Sequence, residues 1–164
     1  MIAALAAAIV LAQIPQTAPL PTAPCSDAFY HQFDFLVGDW QAREPGGTDV
    51  TAQISVAKAA GGCGLIEQET PTRGVASVSL LAYDEDATLW RRDSAFGDGL
   101  VLSLQGGVQN GDLVLEGEQS GSQSHQLARI TWRAQGEVVR ETGERSPDGQ
   151  TWSPWFDREL RRSR

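Results

Sequence analysis

The chain has 164 residues, 13 basic and 21 acidic side chains, and a formal net charge of -8 at pH 7. That balance argues against a nucleic-acid partner, because binding phosphates needs a basic face. Cys25, Cys63, His31 and His125 show no ligand spacing, so a metal site is not expected.

In chain order, the first segment is Met1-Ile2-Ala3-Ala4-Leu5-Ala6-Ala7-Ala8-Ile9-Val10-Leu11-Ala12, which carries no charged side chain. It is shorter than the roughly 20 apolar residues that span a bilayer. Its length suits the apolar core of a secretory signal, although no Lys or Arg precedes it. Val10-Leu11-Ala12 places compact residues for cleavage before Gln13. The expectation is a signal peptide over 1–12, no stable transmembrane segment after cleavage, and a periplasmic or secreted protein. The alternative is an uncleaved leader or membrane tether. Pro15, Pro19, Pro21 and Pro24 make 13–24 a semi-rigid linker. A single folded domain then runs over 25–164, long enough to bury a real core.

An exported chain with an even cysteine count suggests a Cys25–Cys63 disulfide. Closing that loop is worth about 3–4 kcal/mol in the chain-entropy model. The alternative is two buried free thiols. Residues 26–36 can form a short helix, with Ser26 as N-cap, Asp27 in the first turn, and Phe29, Phe33 and Leu36 on one face. Such a helix can plug one end of a barrel.

From Pro45 onward the chain is punctuated by turn signals. They include Gly61-Gly62-Cys63-Gly64, Asp84-Glu85-Asp86, Gly97-Asp98-Gly99, Asn110-Gly111 and Pro147-Asp148-Gly149. Between them lie strands expected at about 39–44, 49–59, 64–70, 75–83, 88–95, 99–106, 112–119, 124–134, 137–146 and 151–161. A meander of about ten strands hides its edges by closing. The fold class is therefore all-β, a single antiparallel up-and-down barrel with a short N-terminal helix. Ile54 and Val56 face one way and Gln53 and Ser55 the other. Ala76, Val78 and Leu80 alternate with Ser77 and Ser79, and the pattern leaves open which face is inside. In the Ser146 to Trp152 turn, Asp148 is placed to bind loop amides, with Gly149 at positive φ. Arg158, Arg161, Arg162 and Arg164, interleaved with Asp157 and Glu159, read as a solvated final strand and tail.

Three motif sets, taken in order, carry a resemblance. They are Gln32 to Trp40 (Gln-Phe-Asp-Phe-Leu-Val-Gly-Asp-Trp); Ala60 to Glu67, followed by Tyr83-Asp84 and Leu89-Trp90; and Arg129-Ile130-Thr131-Trp132 with Glu144 to Trp152, Phe156-Asp157 and Arg161. In this order and spacing the chain resembles the DUF1579-type family of uncharacterised, lipocalin-like bacterial domains. The resemblance covers nearly the whole chain after the linker. It implies a closed or nearly closed antiparallel barrel of the lipocalin/calycin kind, and no established reaction. One departure stands out. After Trp90 the family tends to show Gln, Trp and Asp at alternating positions, where this chain has Arg92, Ser94 and Phe96. If those positions line the cavity, its pocket differs from that of its relatives.

The candidate ligand-binding residues are Trp90, Arg129, Trp132, Arg140 and Glu144. Arg140, Thr142 and Glu144 share one face of the ninth strand, Arg129 lies on the eighth, and the tryptophans supply apolar walls. Glu67 and Glu69 share a face of the third strand. Glu67 with Glu144 is the candidate acid–base pair for an enzyme. Enzyme signatures are weak, with no nucleophile elbow, no phosphate loop and no His/Cys/Asp arrangement, and the pattern leaves any cofactor unknown. The expected function is binding of a small apolar or amphipathic molecule in a barrel cavity, by a monomer or weak dimer. The alternatives are a structural or interaction barrel with a filled core, and an enzyme acting on a small molecule inside the barrel.

Overall fold

The computed structural model describes residues 25–121 and 124–163, so the leader and linker expected over 1–24 lie outside the described residues. The strands are β1 (Gly38–Arg43), β2 (Ala52–Ala59), β3 (Gly64–Pro71), β4 (Ser77–Asp84), β5 (Leu89–Phe96), β6 (Val101–Gln109), β7 (Asp112–Gly121), β8 (Ser124–Gln135), β9 (Val138–Ser146) and β10 (Ser153–Arg162). Each pairs antiparallel with its neighbour in sequence, and β1 pairs with β10 to close the barrel. The turns follow from local chemistry. Asn110 and Gly111 join β6 to β7 with φ of 53° and 89°, the two positive values that a tight two-residue hairpin requires. Asp148 accepts hydrogen bonds from the amides of Gln150 and Thr151, both at 2.8 Å, while Gly149 takes φ of 73°.

Period-two alternation sorts the side chains. Ile54 and Val56 point inward and Gln53 and Ser55 outward. On β4 the small polar residues take the inside. Ser79 and Leu81 are buried, while Val78 and Leu80 are 47% and 52% exposed.

One end of the barrel is filled by the segment before β1. The helix expected over 26–36 is instead two short 3-10 turns, Ala28–His31 and Asp34–Leu36, broken at Gln32-Phe33. Ser26 does not cap the first turn. Asp27 holds the N-cap position, without a side-chain capping bond. The irregular path drops Phe33 fully into the interior, its ring centroid 4.7 Å from that of Trp90 and 5.6 Å from that of Trp132. Edge-to-face aromatic contacts of this kind favour a defined packing. Trp40 Nε1 donates to Leu36 O at 2.6 Å, and Trp90 Nε1 donates to Gln32 Oε1 at 3.0 Å, so the indoles are satisfied by the plug they pack on. The disulfide Cys25–Cys63, with Cα atoms 5.1 Å apart, ties the start of the plug to the turn before β3.

Candidate functional site: a charged cavity at the open end

The opposite end of the barrel is not filled. A cavity of about 460 Å³ is lined by residues of β2 to β6 and β8 to β10, with Glu44 just after β1, within the range of small-molecule sites. Its apolar walls include Leu102 and Ile130, and Phe96, Trp155 and Phe156 add aromatic surface. Gly143 makes room for the Phe156 ring, which any Cβ at that position would strike. Glu44, Thr51 and Asp157 also border it.

Its depth is polar. Glu67 and Glu69 stand two residues apart on β3, so both face inward. Arg92 on β5 donates through Nη2 to Glu67 Oε1 at 2.5 Å and to Ser79 Oγ at 3.0 Å. Arg158 on β10 lies directly opposite Glu141 on β9. Its Nε donates to Glu141 Oε2 at 2.8 Å, and Nη1 and Nη2 grip both oxygens of Glu69 at 2.6 and 2.9 Å. Such bidentate charge-assisted bonds are the strong kind. Trp132 underlies the network, its ring centroid 5.4 Å from the Arg92 guanidinium carbon.

Environment separates the two carboxylates that share Arg158. Burial pushes the Glu141 carboxyl up and outweighs the charge and hydrogen bond of Arg158, which pull it down, while the charges of Glu67 and Glu69 push it further up. Burial also acts on Glu69, but there the hydrogen bonds and charge of Arg158 win and hold the carboxyl below its usual range. The same pair of acids raises the pKa of Arg158 despite its own burial. Several interior polar atoms stay unmatched. Arg92 Nε, Ser94 Oγ and Gln119 Oε1 are buried without a hydrogen-bond partner among the described residues, an unusual state for buried polar groups. Among the described residues no group of three or more His, Cys, Asp or Glu side chains is placed to hold a metal ion.

The residues singled out from sequence divide between two places. Trp90 and Trp132 point inward, but they are fully buried against Phe33 below the cavity and do not line it. The expected inward placement of Arg129, Arg140 and Glu144 is corrected. On β8 the inward set is Ala128, Ile130 and Trp132, and on β9 it is Val139, Glu141 and Gly143, so their neighbours project outside. Arg129 bonds Glu116 at 2.8 and 2.9 Å and Glu144 at 3.4 Å, and stacks on Trp152 at 3.9 Å. Arg140 pairs with Asp157 on the same outer surface. Glu67 and Glu144, the candidate acid–base pair, are therefore on opposite faces of the barrel wall. Arg158 is also corrected. It belongs to the interior, not to a solvated tail.

Sequence reasoning missed Glu141 and Arg158. The signals that did exist were the spacing of Glu67 and Glu69 and the unusual Arg92, Ser94 and Phe96 alternation, and these residues do face the interior. Comparison with known proteins found no family model and no curated protein that matches the chain.

Proposed function

We propose that this protein binds a small amphipathic molecule in the open end of its barrel, with the polar group of the ligand against the Arg92–Arg158 network and its apolar part against Phe96, Trp155 and Phe156. One observation carries the reading. A buried network of charged side chains, in which Arg92 Nε has no hydrogen-bond partner among the described residues, stands at the bottom of an otherwise accessible cavity. We extend the proposal to an exported, periplasmic or secreted protein of the DUF1579-type, lipocalin-like family, a monomer or weak dimer. A disulfide persists in oxidising compartments. Among the described residues no helix is long and apolar enough to cross a membrane.

The test is fluorescence titration with N-phenyl-1-naphthylamine, an amphipathic probe that brightens in apolar sites. Saturable binding to the full chain, lost in the cavity-filling variant Ser77→Trp, is the expected result. Binding that Ser77→Trp leaves unchanged defeats the proposal. One observation favours a second reading, an enzyme acting on a small molecule in the same cavity: neighbouring carboxylates pushed to opposite sides of their usual range, as acid and base roles require.

A further inference from the structure

The balance of charge in the cavity says more about its occupant, provided that the cavity binds a ligand at all. Glu69 and Glu141 line the cavity and Glu67 lies behind Arg92, and among the described residues these three acids form ion pairs only with Arg92 and Arg158. Arg158 is engaged by two of these acids. Each of its nitrogens already donates to Glu69 or Glu141. Glu141 has a side chain only 3% exposed and lines the cavity. Arg158 reaches its Oε2, and no donor among the described residues reaches its Oε1. The remaining charges near the cavity do not change the sign. Asp157 is taken by Arg140 on the outer side, and Glu44 adds a further acid at the rim. Arg145 stacks on Trp155 at 3.7 Å and forms no ion pair with these acids among the described residues. Trp155 and Phe156 place aromatic surface beside the acids, and each already packs against a guanidinium, Arg145 at 3.7 Å and Arg158 at 5.2 Å, a setting that suits a cation with an apolar body.

We propose that the cavity takes a small organic ammonium with an apolar tail, its charged end donating to Glu141 Oε1 and its tail lying along Phe96, Trp155 and Phe156. The ammonium supplies the positive charge that the three carboxylates lack and the donor that Oε1 lacks. An anionic headgroup would face the same excess of carboxylates. The raised pKa of Glu141 gives the site a pH sense. Where Glu141 is protonated the excess charge is gone, so cation binding strengthens as pH rises through its titration.

The experiment is isothermal titration calorimetry of the full chain with hexylammonium, hexanol and hexanoate, which share one tail. Hexylammonium is expected to bind about tenfold more tightly than hexanol at about pH 7.5, an advantage that shrinks at about pH 5 while hexanol affinity holds. Glu141→Gln should remove the preference and keep hexanol binding, with circular dichroism confirming the fold. If that variant does not fold, the pH profile of the wild-type chain decides. Equal affinities, or tightest binding of hexanoate, overturn the cation proposal and leave a binding cavity standing. Binding of none of the three overturns both.

Discussion

Arg158→Met tests the interior network most directly. The native guanidinium makes three charge-assisted hydrogen bonds from a side chain 18% exposed, to Glu69 at 18% and Glu141 at 3%. Removing one partner of a buried ion pair costs about 3–5 kcal/mol, because the other charge is left uncompensated. Glu69 keeps some solvent access and both acids can protonate, so the lower end applies, about 3 kcal/mol at neutral pH. For a domain of this size that lowers Tm by roughly 10 °C. The pH dependence has a definite sign. In the native protein the pKa of Glu69 is held low, so its contribution is present above the ordinary carboxylate range and is lost as pH falls through its folded value. Glu141 is shifted up and behaves oppositely, favouring the fold at low pH and losing that contribution as pH rises through its folded value. Without Arg158, burial pushes both acids up. The deficit of the variant is then largest at neutral pH and shrinks toward about pH 4.5. Urea unfolding followed by tryptophan fluorescence at the two pH values measures it. A loss below about 1 kcal/mol, or one that does not change with pH, refutes the argument.

Other perturbations separate plug, staple and surface. Phe33→Ala, at a fully buried ring between Trp90 and Trp132, should cost about 3–5 kcal/mol in the same urea assay; a cost below about 1 kcal/mol would show that the plug is dispensable. Replacing Cys25 and Cys63 together with Ser opens a link between residues 38 apart and should cost about 4 kcal/mol, with an unchanged urea midpoint as the contrary result. Arg129→Ala, on the outer wall, should change stability by less than about 1 kcal/mol and leave probe binding intact; a loss of binding would move the site outside the barrel.

The strands were legible because turn chemistry is local. A pair such as Asn110-Gly111 announces a hairpin whatever the rest of the chain does. Closure was legible as well, since a ten-strand meander left open would expose two edges. The inner face was not legible. On β4 the alternation of Val78 and Leu80 with Ser77 and Ser79 reads equally well either way, and the barrel puts the serines inside. On β9 Glu141 and its outward neighbours Arg140 and Thr142 are all polar, so no contrast marks the face. The bond from Arg158 to Glu69 spans 89 residues and crosses the barrel, so no window of sequence contains both partners. Arg158 also sits three residues from Arg161, inside a stretch whose composition reads as surface. The site was hidden because its charges are distributed over β3, β5, β9 and β10, each carrying only one or two.

A barrel that served only as a scaffold would have a simpler solution at its open end. The plug end shows that solution, with Phe33, Trp90 and Trp132 filling the interior. At the other end Glu69, Glu141 and Arg158 keep charge out of water beside an unfilled cavity. Apolar replacement of a complete buried ionic group is often neutral or stabilising by about 1–4 kcal/mol, in contrast to the loss of a single member. The triple variant Glu69→Leu, Glu141→Leu and Arg158→Met removes all three together and leaves the self-neutralising Glu67–Arg92 pair in place. We expect it to be at least as stable as the native chain in urea and to lose its preference for hexylammonium. That pairing of outcomes would mean that the network is retained for the ligand and not for the fold. A triple variant less stable than Arg158→Met alone would mean the reverse: the buried charges specify the barrel, and the cavity is a by-product of accommodating them.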